Sequence, residues 1–195
     1  MARRKRRSTT AILSGSDWAS KFPTSKDVAD LVSPFREDVE QFLDALKTAG
    51  ADVSISATYR PKERAYLMYY AFSIARDGFN PANVPPMAGV DIDWVHRNAN
   101  GRVDLVASRN AAESMVEAYG IVYRPALASK HSERLAIDMT ISWSGTLNIK
   151  NARGKTVAIS STPRSGQNGQ LHAVGQSYGV IKLVSDPPHW SDDGH

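Results

Sequence analysis

Two short segments that combine histidine with aspartate are the parts of this chain best suited to chemistry. The first places His131 and Asp138 seven positions apart, and the second places Asp186 and His189 on either side of two prolines. Imidazole and carboxylate groups are zinc ligands and general bases for hydrolysis. Because the chain has no cysteine, a metal site in it must consist of histidine and carboxylate ligands.

The spacing of His131 and Asp138 requires a turn between them. In one continuous helix they would lie about 10 Å apart along the axis, and in one continuous strand about 23 Å apart. Ligands of one zinc each lie about 2 Å from the metal. The polar residues 132–134 permit a turn, and residues 135–137 permit a strand that returns Asp138. The spacing by itself leaves open that both are ordinary surface residues.

The second segment has a more restricted backbone conformation, because Pro187 and Pro188 stiffen the backbone between Asp186 and His189. A general base and a metal ligand that must stay a few ångströms apart need such rigidity. The alternative is a proline-rich turn whose aspartate and histidine are solvated.

With a third segment, these residues resemble the D-Ala-D-Ala metallopeptidase family. The matching segments are Ser129–Asp138, Asp186–Trp190 and Ser56–Arg60, the last resembling a Ser-Gly-Tyr-Arg-like motif that follows a strand. The family includes VanX- and VanY-like peptidases and the L-alanyl-D-glutamate endopeptidases of phage endolysins, and it shares its zinc site with hedgehog signalling domains. The resemblance spans about residues 35–190.

The resemblance implies a zinc cofactor, held by three ligands: His131, Asp138 and His189. It implies that Asp186 is the catalytic base, where many members have glutamate. It also implies that Arg60 stabilises the oxyanion or holds a substrate carboxylate. The turn before Asp138 departs from the family, because Glu133 and Arg134 stand where glycine is usual.

Three further residues are candidates for substrate binding. By resemblance, Ser129 is expected to donate a hydrogen bond to the substrate. Tyr59 is expected to lie near the site, mainly as a packing residue. Trp190 either packs beneath the zinc or lines the substrate cleft, and the sequence leaves both roles open.

The implied function is hydrolysis of amide bonds in peptidoglycan stem peptides, as an L-alanyl-D-glutamate-type endopeptidase. The alternatives are a D-alanyl-D-alanine carboxypeptidase or dipeptidase, and a non-catalytic zinc-binding or virion structural protein. A structural zinc needs no base, so Asp186 favours an enzyme. The bond cut in purified murein distinguishes the two peptidases.

The order of predicted elements indicates an α+β fold with a small antiparallel sheet, helices packed on one side and the zinc site in a cleft on the sheet. Helices are predicted from Ser33-Pro34 to Gly50, over residues 62–76 and over residues 110–119. Strands are predicted near residues 53–57, 90–94, 136–141, 157–159 and 179–183. The segment from Ile141 to Ser177 has no identifiable counterpart in the family.

Composition predicts a flexible basic arm at residues 1–24 and a single zinc peptidase domain at residues 25–195. The arm contains five basic residues within residues 3–7, more than the net charge of +4, and the sequence pI is 9.4. It is either a solubilising tail or an attachment to anionic wall or nucleic acid. The remainder lacks a basic-aromatic pattern, which argues against nucleic-acid binding.

The composition near the N-terminus also predicts where the protein is made and acts. We expect no signal peptide and no membrane span, because only three apolar residues, Ala11–Leu13, follow the basic start. The expected protein is a monomer made in the cytoplasm that acts on peptidoglycan after release, in a phage or a bacterium.

Overall fold

The computed structural model describes residues 11–195, so the basic segment at residues 3–7 lies outside the described residues. Helices and strands are numbered here in chain order. The α-helices are α1 (Phe35–Thr48), α2 (Lys62–Ala75), α3 (Leu105–Tyr119), α4 (Lys130–Glu133) and α5 (Gly169–Ser177). The strands are β1 (Ile12–Leu13), β2 (Asp52–Ala57), β3 (Ile92–Asp93), β4 (Ala136–Ser142), β5 (Leu147–Lys150), β6 (Thr156–Ile159), β7 (Ile181–Lys182) and β8 (His189–Ser191). Helices with small, mainly antiparallel sheets confirm the predicted α+β class.

Contacts within the chain divide it into two compact units. The first contains residues 11–23 of the described chain and Lys62–Leu127, and the second contains Thr24–Pro61 and Ala128–His195. Every residue that the sequence assigns to the site lies in the second unit. A single domain over residues 25–195 stays a prediction.

In the first unit, α2 and α3 pack together over a core that includes Leu67 and Met115. Residues 11–23, predicted as part of an arm, contain β1 and a 3-10 helix at Ser16–Ser20. The Trp18 ring packs into the same core, and its Nε1 donates to the carbonyl of Leu13 at 3.0 Å. Burial of one large aromatic ring therefore orders a segment whose composition is otherwise typical of a tail.

Helix α3 begins five residues before its predicted start, because Asp104 caps it. The Asp104 carboxylate accepts from the amide of Ala107 at 2.9 Å. This side chain supplies a partner for one of the amides that the first turn of a helix leaves unpaired. Gly120 follows the helix in the left-handed conformation, which ends it after Tyr119.

The second unit is built on a four-stranded antiparallel sheet with strand order β2-β4-β8-β7. Along β4, the side chains of Ile137, Met139 and Ile141 alternate with that of Asp138. The three apolar residues belong to the core that also contains α1 residues and Leu171 of α5. Since successive strand residues face opposite sides of a sheet, Asp138 lies on the face of β4 opposite this core.

Helix α1 covers the core as its spacing predicts. Its buried residues are Phe35, Val39, Phe42 and Leu46, which recur at intervals of three and four along one face. The segment without a sequence match also contributes, because β5 and β6 form an antiparallel hairpin and α5 follows it. Leu147 and Ile149 of β5 are buried in the same core.

Among residues 11–195, no helix combines the length and apolar character required to cross a membrane.

Candidate metal centre

Sheet register brings Asp138 and His189 together. They are directly opposed on β4 and β8, and directly opposed residues of an antiparallel pair project from the same face. His189 Nδ1 lies 3.0 Å from Asp138 Oδ1. The strand that follows the turn at residues 132–135 thus returns Asp138 to the site.

The short helix α4 supplies the third residue. His131 Nε2 lies 3.0 Å from Asp138 Oδ1, and ligand atoms of His131, Asp138 and His189 all lie within 4.8 Å of one another. The chain reverses after α4 because Arg134 adopts the left-handed conformation, with φ 64°. Glycine adopts this conformation most readily, so Arg134 makes a turn with a backbone conformation that its residue type does not signal.

The remaining nitrogen of each imidazole is paired with a main-chain carbonyl. His131 Nδ1 lies 3.0 Å from the carbonyl oxygen of Thr58, and His189 Nε2 lies 3.1 Å from that of His195. A carbonyl only accepts hydrogen bonds, so these nitrogens carry the protons. In the neutral imidazoles, His131 Nε2 and His189 Nδ1 then present lone pairs toward Asp138.

Two lone pairs and a carboxylate that converge repel each other unless a proton or a metal cation lies between them. His131 Nε2 is buried, and it has no hydrogen-bond partner in the described part of the chain. The imidazole–carbonyl pairs are the outer contacts that typically orient histidine ligands of zinc. Two histidines and one aspartate also form a common ligand set for catalytic zinc, with a further coordination position open. The residues therefore fit a metal ion.

The electrostatics of the cluster agree with a cation site. Burial raises the pKa of Asp138, but the imidazoles of His131 and His189 lower it more, so this pKa lies well below its ordinary value. Burial lowers the pKa of His189, but the adjacent carboxylates of Asp138 and Asp186 raise it above its ordinary value. The carboxylate is thus held ionised, and positive charge is favoured beside it.

Asp186 lies in the loop between β7 and β8 and is exposed. It belongs to no group of metal-ligating residues in the described chain, yet its charge influences His189. The amide of His189 donates to the carbonyl of Asp186 at 3.1 Å. The two prolines therefore lie within a tight turn that keeps Asp186 beside the cluster as an accessible carboxylate.

Arg60 and Tyr59 lie next to the cluster along the chain that follows β2. The amide of Arg60 donates to the carbonyl of His131 at 3.2 Å. The half-buried Arg60 guanidinium makes no hydrogen bond or ion pair with residues 11–195. The guanidinium of Arg134 lies over the Tyr59 ring, 4.3 Å from its centroid. Tyr59 is thus a packing residue here, whereas Arg60 is available to a ligand.

Ser129 precedes α4, and its Oγ is buried without a hydrogen-bond partner in the described residues. Trp190 has 0% exposure and packs on Phe42, with ring centroids 5.5 Å apart. Its side chain faces the core because His189, the preceding residue of the strand, faces the site. Of the two roles left open for Trp190, the structure supports packing, and its assignment to substrate binding is corrected.

Several residues around the site could not be assigned to it from the sequence. Thr58 and His195 act through main-chain carbonyls, which any residue type provides. Lys130 Nζ pairs with Asp192 at 3.0 Å and with Asp193 at 2.7 Å, and these contacts raise the Lys130 pKa above its ordinary value. The segment after β8 is therefore tied to α4.

Comparison with known proteins adds no identification. No model of a protein family matches the chain, and no curated protein sequence matches it.

Proposed function

We propose that this protein is a zinc metallopeptidase that hydrolyses amide bonds in peptidoglycan stem peptides. The observation that carries the proposal is the buried cluster in which two imidazole nitrogens converge on Asp138 Oδ1 at 3.0 Å. Zinc in this cluster would supply Lewis acidity toward a substrate carbonyl and toward a water molecule. His131, Asp138 and His189 would hold it, and the carbonyls of Thr58 and His195 would keep both imidazoles in the required tautomer.

Asp186 is the proposed general base. Its carboxylate is exposed, so it can reach water and substrate, and its loop holds it beside His189. It would accept a proton from the attacking water and deliver it to the leaving amine. A purely structural site would have no use for an accessible carboxylate in this position.

Arg60 is proposed to bind negative charge on the substrate. Because its guanidinium has no partner among residues 11–195, no ion pair needs to be broken before it binds. It would stabilise negative charge that develops on the carbonyl oxygen, or pair with a carboxylate of the stem peptide. Ser129 Oγ, which is buried and has no hydrogen-bond partner in the described part of the chain, would donate a hydrogen bond to the substrate.

Within this reaction class we propose an L-alanyl-D-glutamate-type endopeptidase. The Arg60 guanidinium, which has no partner among residues 11–195, also suits the terminal carboxylate of a D-alanyl-D-alanine substrate, so a D,D-carboxypeptidase or dipeptidase is the second candidate. A third is a non-catalytic zinc-binding or virion structural protein. The test is digestion of purified murein by zinc-loaded protein, with mass analysis of the products.

The expected products are stem peptides that begin with D-glutamate and glycan strands that retain L-alanine. Release of D-alanine instead would establish the carboxypeptidase. Asp186→Asn protein that still binds zinc is the matched control, because it retains the ligands and lacks the base. Intact murein after treatment with zinc-loaded wild-type protein would contradict the peptidase proposal.

A further inference from the structure

Lys182 of β7 is a buried cation that the proposed reaction does not use. The residue is 7% exposed, and its ammonium donates to three main-chain carbonyls. The distances from Nζ are 2.5 Å to Leu183, 2.5 Å to Asp186 and 3.0 Å to His189. Three N–H donors therefore meet three acceptors, which is the full donor capacity of an ammonium group.

The same three residues form a closed ring of backbone hydrogen bonds. The amide of Leu183 donates to His189 at 3.2 Å, that of His189 donates to Asp186 at 3.1 Å, and that of Asp186 donates to Leu183 at 3.2 Å. Each carbonyl thus accepts one amide and the ammonium of Lys182. The ring encloses the turn that carries both the proposed base and a proposed zinc ligand.

Convergence of three carbonyl oxygens requires positive charge, because their dipoles repel one another. A buried ammonium is costly unless every donor is paired. Burial lowers the pKa of Lys182, whereas the charges of Asp186 and Asp138 act in the opposite direction. An apolar side chain at position 182 would fill the same space but would leave the three carbonyls facing one another with one amide donor each and no positive charge between them.

We propose that Lys182 is a positioning residue that fixes the spacing of Asp186 and His189 through this carbonyl ring. The inference rests on the proposed zinc site, and it assigns to Lys182 no contact with substrate. Removal of the ammonium should loosen the turn, so that His189 meets the metal in a broader range of positions. The contacts that orient metal ligands typically change metal affinity by about 10–100-fold when they are removed.

The test uses Lys182→Met, which keeps the length and removes the charge, and Lys182→Arg, which keeps donors and charge. Hydrogen exchange in the metal-free full chain reports the turn directly. We expect the amides of Asp186 and His189 to exchange about tenfold faster or more in Lys182→Met, while amides of α1 keep their protection. Unchanged exchange at both amides would overturn the proposal, whether or not the chain binds zinc.

Zinc affinity, measured by competition with a chromophoric chelator, is the second readout. Lys182→Met should bind zinc about 10–100-fold more weakly than wild type, and Lys182→Arg should recover part of the loss. Ile149→Val is the matched control. It removes one methyl group from the apolar core of the second unit, in β5, which lies outside the site. If Ile149→Val and Lys182→Met lowered the melting temperature equally and also weakened zinc binding equally, that result would contradict a positioning role for Lys182. Wild-type protein that binds no zinc would instead refute the proposed function.

Discussion

Asp138 Oδ1 lies 3.0 Å from His189 Nδ1, across two directly opposed positions of β4 and β8. The His189 ring is oriented from its other side by the carbonyl of His195. The pair therefore lies within the four-stranded sheet of the second unit, while Asp186 lies in the adjoining loop. This division separates the residues proposed to hold a metal from the residue proposed to move protons, and the two groups can be tested separately.

Asp186→Asn should retain zinc and lose most peptidase activity. The amide has nearly the shape of the carboxylate but cannot act as a base, and loss of a general base typically costs about 10²–10⁴-fold in rate. Zinc content and murein hydrolysis measured on one preparation check this. Asp52→Asn is the control, because Asp52 is an exposed carboxylate at the far end of β2. Loss of zinc from the Asp186 variant would make Asp186 a ligand rather than a base.

Arg134→Gly should be more stable than Arg134→Ala by about 1 kcal/mol. Both substitutions lose the stacking on Tyr59, but only glycine adopts the positive φ of 64° without steric cost. Urea denaturation of the two variants measures the difference. If both variants had the same free energy of unfolding, the turn before Asp138 would not need the left-handed conformation.

Gly175→Ala should destabilise the second unit by about 1–3 kcal/mol through overpacking. A Cβ at this position would lie 2.8 Å from Cζ3 of Trp190 and 2.8 Å from the carbonyl of Val180. Since Trp190 adjoins His189, zinc binding should weaken as well. Gly169→Ala in the same helix is the control: a Cβ there meets no atom within 4 Å. A Gly175→Ala protein as stable as wild type would show that the core beneath the site can adjust.

Deletion of residues 2–7 should weaken binding to whole anionic wall without changing hydrolysis of a short soluble stem peptide. The segment carries five positive charges and the remainder of the chain is nearly neutral. At physiological salt, the influence of exposed charges is largely screened beyond about 8 Å. Cosedimentation with peptidoglycan across a salt series should therefore show salt-sensitive binding only for the full-length protein. Equal binding of both forms at low salt would leave a solubilising tail as the better explanation.

The sequence predicted those parts of the structure that depend on local pattern. The spacing from Phe35 to Leu46 predicted α1, and the turn between His131 and Asp138 lies where their separation required it. The left-handed Arg134 was not foreseen, because glycine and, to a lesser degree, asparagine and aspartate are the residues that signal that conformation in a sequence. In the β5–β6 hairpin, the strand near residues 157–159 was predicted, whereas β5 was missed.

Contacts made by main-chain atoms could not be predicted from the sequence, for a different reason. The carbonyls of Thr58 and His195 orient the imidazoles, but every residue has a carbonyl, so residue type carries no information about this role. Lys182 is an unusual residue to bury, yet its burial depends on three carbonyls that only the folded loop brings together. Such contacts can be assigned only from the folded structure.

Zinc content per chain tests the central claim most directly. Protein purified without chelator should contain one zinc per chain by elemental analysis, and His189→Ala and Asp138→Ala variants that remain folded by circular dichroism should contain almost none. Asp52→Ala, which removes an exposed carboxylate at the far end of β2, should retain the metal. Folded wild-type protein that hydrolyses murein without any bound metal, or ligand variants that keep a full zinc equivalent, would contradict the account.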